Sequence, residues 1–128
     1  MKPKTPLEMR RPRPPVHIEP KVWGREVWIA NGPLYCGKIL ELRQGMSTSL
    51  HYHKRKTESF YLHCGRLRIR IKDSPASEQI EEFEMNSGEC MDIPVGLVHE
   101  IHALEDSQLF EFSTEHFDSD SHRLPKLD

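Results

Sequence analysis

The sequence predicts an all-β domain, a single jelly roll or barrel of about nine short strands. Three observations carry that prediction. From Val22 onward apolar and polar residues alternate in short runs, ten prolines and seven glycines punctuate those runs, and no stretch reads as a convincing helix. Regularly spaced short strands with turn residues between them imply a sandwich or a barrel.

The strands follow in order. Residues 27–29 are short and β-prone, and Asn31, Gly32 and Pro33 make a turn. Residues 34–42 alternate, with Leu34, Cys36, Lys38, Leu40 and Leu42 on one face and Tyr35, Gly37, Ile39 and Glu41 on the other. Gln44 and Gly45 break that strand. Strands at 49–53 and 58–64 follow, and Gly65 turns the chain into 66–71, where Leu67, Ile69 and Ile71 face the core and three arginines face out. That arginine row reads as a solvated face or a guard against edge pairing. Asp73, Ser74 and Pro75 turn the chain again, and 79–85, 90–93, 98–103 and 108–113 supply the last strands. A turn or so near 118–123 is the one candidate helix.

At 128 residues the chain is one ordinary domain, expected to occupy 16–128. Residues 1–15 carry Lys2, Lys4, Arg10, Arg11 and Arg13 against one acid, Glu8, and five prolines. Proline at that density sustains neither helix nor sheet interior, so this is an extended basic arm, flexible or packed on a partner subunit. No stretch reaches the ~20 apolar residues of a membrane helix, and the first residues lack the apolar core of a secretory signal. A cytoplasmic protein is the expectation, with no membrane partner. The net charge of -2 gives no reason to expect nucleic acid. Cys36, Cys64 and Cys90 sit singly in apolar segments, without C-x2-C spacing. They are expected to be buried thiols in a reducing compartment.

Two segments carry chemistry. Gly45, His51, His53, Glu58 and Gly65 fit G-x5-H-x-H-x4-E-x6-G, and Gly88, Pro94, Gly96 and His99 fit G-x5-P-x-G-x2-H. Side chains two apart on a strand point the same way, so His51 and His53 share a face. A turn through Lys54, Arg55, Lys56 and Thr57 is expected to return Glu58 on the neighbouring antiparallel strand, and the Pro94–Gly96 turn leads His99 into the same interior. Three imidazoles and one carboxylate suit a divalent transition metal (zinc, nickel, manganese or iron) with positions left for water or substrate. His17, His63, His102, His116 and His122 are not read as ligands, and Lys54, Arg55 and Lys56 read as a solvated turn.

These two motifs are similar to the signature pair of the cupin family over residues 22–113, except that Ala103 stands where an asparagine is often found. The resemblance implies a jelly-roll barrel. It also implies a homodimer that shares strands or swaps an N-terminal segment. The ends carry a narrower resemblance. Lys21-Val22-Trp23-Gly24 is similar to the R-P-W-G opening of the mannose-6-phosphate isomerase domain of the bacterial bifunctional type, and Leu109–Ser113 with Asp118–Leu124 is similar to its tail. That family generally draws its first ligand from a Q-x-H pair, where this chain has His51-x-His53. Aldose–ketose isomerisation needs a metal to polarise oxygens, a base to move a proton between carbons, and positive charge for a phosphate. Lys38 on its core-facing side is the candidate for the last two tasks, unless it snorkels at a strand end. Arg123 matches the tail arginine and could close over an anionic substrate, and Glu111 could serve as base or as a residue that orients a ligand. The leading expectation is therefore a metal-dependent enzyme acting on a small sugar or sugar phosphate. An iron-dependent dioxygenase or lyase, and a non-catalytic carbohydrate-binding or sensor module, are the alternatives.

Overall fold

Alternating burial along residues 36–42, 58–62, 66–70 and 107–111 gives each of two facing sheets one buried side. The computed structural model describes residues 3, 5–9 and 11–127; Lys2, Lys4 and Arg10 of the basic arm lie outside the described residues. Among the described residues there are eleven strands: β1 (His17–Lys21), β2 (Gly24–Asn31), β3 (Cys36–Leu42), β4 (His51–Tyr52), β5 (Glu58–Cys64), β6 (Arg66–Lys72), β7 (Glu81–Asn86), β8 (Cys90–Ile93), β9 (Val98–Ala103), β10 (Ser107–Ser113) and β11 (His122–Arg123). One sheet has the order β1-β2-β3-β10-β5-β8 and the other β11-β4-β9-β6-β7, with antiparallel neighbours throughout. This is the expected all-β jelly roll. Among the described residues no helix is long and apolar enough to cross a membrane.

The registers show how the interior is graded. Across the first sheet the inward rows read Leu40–Leu109–Leu62, then Lys38–Glu111–Phe60, then Cys36–Ser113–Glu58. Across the second they read Leu67–Ala103, Ile69–Ile101, then Ile71–His99 with His51 beyond. The end near the Gly65 turn is thus filled by leucine, isoleucine and Trp23, while the opposite end is lined by ionisable groups. Apolar burial anchors the fold at one end and leaves the other for chemistry.

Several expectations need correction. The hairpin expected to bring Glu58 beside His53 does not form: β4 pairs with β9 and β11, β5 pairs with β10 and β8, and residues 53–57 cross from one sheet to the other. Leu34 lies outside β3 and is 87% exposed, because the turn through Pro33 continues past it. Cys36 is buried, but Cys64 and Cys90 are exposed. Cys64 opposes Gln108 at a bulge and Cys90 opposes Tyr61 on the outer face. In the arm, Pro6–Met9 forms one helical turn. Its proline stands at the first helical position, where a preset φ and a missing N–H cost nothing. The turn near 118–123 is a 3-10 turn at Asp118–Asp120. The outward arginines of β6 are half-buried in a cross-strand ladder, with Arg66 2.9 Å from Glu84 and Arg70 2.7 Å from Glu82.

The Gly65 turn joins the two sheets and admits no side chain. Its φ is +97°, and a Cβ there would fall 2.1 Å from Ser107 Oγ and 2.6 Å from the Asp106 carbonyl oxygen. Gly88 has a similar φ of +89° with nothing within 4 Å. Gly88→Ala is therefore expected to cost only the left-handed penalty of about 1–2 kcal/mol, and Gly65→Ala at least twice that in urea unfolding. Equal losses would contradict the packing described.

Candidate metal centre

β4 and β9 are register partners at His51 and His99, so these two rings face each other across one rung. His53 follows two residues after His51 on the same side and is 4% exposed. Each ring nitrogen Nδ1 meets a backbone carbonyl: His51 with Ser49 at 2.8 Å, His53 with Asp120 at 2.9 Å and His99 with Leu97 at 2.9 Å. A carbonyl only accepts, so Nδ1 carries the proton in all three rings and the lone pair sits on Nε2. The ligand-capable atoms of the three rings lie within 4.8 Å of one another.

Glu58 opens β5 from the other sheet and places Oε2 3.7 Å from Nε2 of His53 and 3.7 Å from Nε2 of His99. Both its oxygens are fully buried, and among the described residues neither accepts a hydrogen bond. Lys56 Nζ stands 3.0 Å from Oε1 as an ion pair. Burial keeps the imidazoles neutral. His51 is lowered to about 3 by burial and then by His99, His53 to about 4 by burial and then by Lys56, and His99 to about 4 chiefly by burial. Neutral imidazole is the form that binds metal. Three lone pairs and the Oε2 of Glu58 facing one another form a group of acceptors, which fits a cation.

A second layer of ionisable groups lies behind Glu58. Lys56 was expected in a solvated turn but is 3% exposed, because the period-2 face of Glu58 and Phe60 extends back to it. Its Nζ donates to Nδ1 of His116 at 3.0 Å, and Nε2 of His116 donates to Asp118 Oδ1 at 3.0 Å. Burial alone would lower the Lys56 pKa, yet Glu111 and Glu58 outweigh it and raise it. Glu111 is buried and pushed up to about 8, first by burial and then by Glu58. Lys38 points inward as expected, opposite Glu111. It does not snorkel: its Nζ is 3.6 Å from Glu26 and 4.1 Å from the centre of the Trp28 ring. Arg123 is exposed on β11 and is the register partner of His51, which puts it on the rim. His116, read from sequence as part of a polar tail, is largely enclosed instead. Burial, then Lys56, lowers it to about 4. His17, His63, His102 and His122 lie outside the three-ring group.

Asp120 is a further residue that the sequence reading did not single out. It is 3% exposed. Burial would raise its pKa, but backbone N–H groups of Lys54, Lys56 and Arg55 outweigh this and hold it below the usual carboxylate range. The Lys56 signal was present in the alternation back from Glu58, whereas no local pattern points to Asp120. A groove lined by Thr57, Glu58, Ser59, Asp92, Phe112 and Thr114 lies where Glu58 opens β5, and none of the three rings lines it. The other prominent groove, around Arg25, Glu41, Arg43 and Gln108, contributes none of the three rings.

Residues 37–122 match the family model described as the polysaccharide biosynthesis C-terminal domain. The chain belongs to that family. All three rings, Glu58, Lys56, Glu111 and Asp120 fall inside the span matched to the polysaccharide biosynthesis C-terminal domain, whereas β1, β2 and the arm fall outside it. A search of curated proteins found no match. Among solved structures, the chain resembles the capsular polysaccharide assembling protein CapF from Staphylococcus aureus, with 24% identity and a TM-score of 0.74 over 88% of this chain and 33% of that one. It also resembles KdgF from Halomonas sp., with 19% identity and a TM-score of 0.63 over 74% and 81% of the two chains. Oxalate decarboxylase from Bacillus subtilis shares 21% identity at a TM-score of 0.72, over 84% and 30%. These likenesses establish the cupin fold. The chain spans about a third of the CapF length.

The shifted groups set a pH profile for the metal-free protein. Unfolded, His51, His53, His99 and His116 take protons near 6.5; folded, they stay neutral down to about 4 or below. Glu111 holds a proton up to about 8 when folded but releases it near 4.5 when unfolded. Below pH 6.5 the unfolded state therefore binds more protons, and stability falls as pH falls. Between 6.5 and 8 the folded state holds the extra proton of Glu111, and stability falls gently as pH rises. Each proton of difference is worth about 1.4 kcal/mol per pH unit. Chemical denaturation of chelator-treated protein is expected to peak near pH 6.5–7, with the steeper side acidic. A flat profile from pH 7 to 4.5 would contradict this electrostatic account.

Proposed function

We propose that this chain is a metal-dependent cupin enzyme acting on a small sugar or sugar phosphate, moving a proton at a carbon next to a carbonyl, as in isomerisation or epimerisation. The observation that carries the reading is the convergence of three neutral imidazoles on the buried carboxylate of Glu58, whose Oε1 is paired with Lys56 at 3.0 Å, with Glu111 pushed up beside that pair. His51, His53, His99 and Glu58 would hold a divalent transition metal of the zinc, nickel, manganese or iron type. When bound, that metal would polarise the carbonyl and hydroxyl oxygens of the sugar.

The chain's own residues supply the rest. Glu111, whose carboxyl is pushed up by burial and by Glu58, is the acid and base candidate, since a carboxyl raised toward ambient pH both takes and returns a proton. Lys56 holds positive charge between Glu58 and His116 and stabilises negative charge that develops on an enolised sugar. Lys38 acts through Glu111, its register partner, by keeping a second buried cation beside it. Arg123 on the rim would meet an anionic group of the substrate. Membership of a polysaccharide biosynthesis family and the likeness to a capsular polysaccharide assembling protein both support sugar chemistry, as does the resemblance of the chain ends to a mannose-6-phosphate isomerase domain.

Solvent exchange tests this without knowledge of the product. The protein, with its metal content measured by elemental analysis, would be incubated in deuterium oxide with phosphorylated and nucleotide-linked aldoses and keto-sugars and followed by NMR. Deuterium is expected to appear at the carbon beside the carbonyl of at least one sugar. Glu111→Gln is expected to slow this by about 10²–10⁴-fold while retaining metal. Metal-replete protein that exchanges no sugar proton would overturn the reading, and oxygen uptake in its place would favour a dioxygenase.

A further inference from the structure

The turn between the second histidine and the glutamate is clamped by a residue that lies 62 positions beyond Glu58 in the chain, on the far side of six strands. Asp120 Oδ1 accepts from the backbone N–H of Lys54 at 2.9 Å and of Arg55 at 3.2 Å. Its Oδ2 accepts from Arg55 at 3.2 Å and Lys56 at 3.0 Å. The backbone carbonyl of the same residue accepts from His53 Nδ1 at 2.9 Å. His122 Nε2 stands 3.7 Å from Oδ1 on the outer side.

These contacts divide into two actions on one segment. The carboxylate gathers three consecutive N–H groups, which can happen only if residues 54–56 curl around it. That curl sets how far His53 lies from Glu58 and turns the Lys56 side chain inward. The carbonyl fixes the tautomer and ring orientation of His53, so its Nε2 lone pair faces the other two rings. A residue that served only to tie down the tail would need one of these contacts, not both. The segment around it is held in the same way: β11 pairs with β4 beside His51, and Leu124 N–H donates to the Leu50 carbonyl at 2.8 Å.

We infer that Asp120 is a positioning residue for the metal centre, acting through His53 and through the 54–56 turn that carries the chain to Glu58. The inference rests on the reading that the three imidazoles and Glu58 hold a metal. Partners of metal ligands that orient them change affinity by about 10–100-fold when removed.

The test uses the full chain as wild type, Asp120→Ala, Asp120→Asn and Met85→Ala, the last being a buried core residue at the apolar end that serves as a stability control. Zinc affinity would be measured by competition with a chromogenic chelator, and the visible absorption of the cobalt-loaded proteins recorded. Asp120→Ala is expected to weaken zinc binding about 10–100-fold and to shift the cobalt spectrum. Asp120→Asn keeps one accepting oxygen and is expected to lose less; it carries the comparison should the alanine variant fail to fold. Met85→Ala is expected to bind as wild type does. Wild-type affinity and an unchanged cobalt spectrum in the Asp120 variants would overturn the inference alone, as would an equal loss in Met85→Ala. Wild-type protein that binds neither ion would overturn the metal reading and this inference with it.

Discussion

A carboxylate with 1% of its side chain exposed is among the costlier groups a barrel can enclose, and Glu58 is such a group, with Lys56 at 3.0 Å offsetting part of that cost. The polar end of the interior is organised around that constraint. Lys56 is drawn in from what would otherwise be a solvated loop. The three imidazoles present lone pairs rather than protons toward Glu58, because backbone carbonyls occupy their other nitrogens. Glu111, the next carboxyl along, is pushed toward its protonated form. Phe60 and Leu62 continue the Glu58 face into the apolar end, so one strand carries both the core and the charge that the core excludes.

The fold was largely legible because its signals are local. Alternation in β3, β5 and β6 identified Lys38 and Leu67 as inward-facing, and glycines at motif spacing marked the turns that need positive φ. The candidate ligands were legible for the same reason, since His51, His53 and His99 sit in segments whose periodicity is clear. What was missed depends on contacts distant in sequence. Sheet membership of β4 cannot be read from an H-x-H pair, so the crossing of 53–57 between sheets was taken for a hairpin. Lys56 was hidden by its neighbours: three cations in a row read as solvent-facing, although Lys56 stands one strand period before Glu58; Lys54 shares that parity and is exposed. His116 and Asp120 lie in a polar tail with no periodicity, and their roles come from contacts spanning 60 or more residues.

Fold and reaction rest on different footings. The two-sheet architecture follows from rows of leucine and isoleucine that any cupin of this size must bury, and it recurs in proteins as unlike as CapF and oxalate decarboxylase. The chemistry lies in the seven or so side chains at one end, and in the rim that would select a substrate. There this chain differs from a plain motif match, because the tail contributes His116 and Asp120 to the wall of the site.

The proposed chemistry depends on His51, His53, Glu58 and His99 holding one metal ion together. Crystals of protein purified without chelator or added metal, with diffraction recorded on both sides of the absorption edges of zinc, nickel, manganese and iron, test it most directly. One anomalous peak is expected, bounded by the three Nε2 atoms and the Glu58 carboxylate, present above one edge and lost below it. Well-ordered side chains with no anomalous peak among them, or a peak bound by other residues, would contradict it.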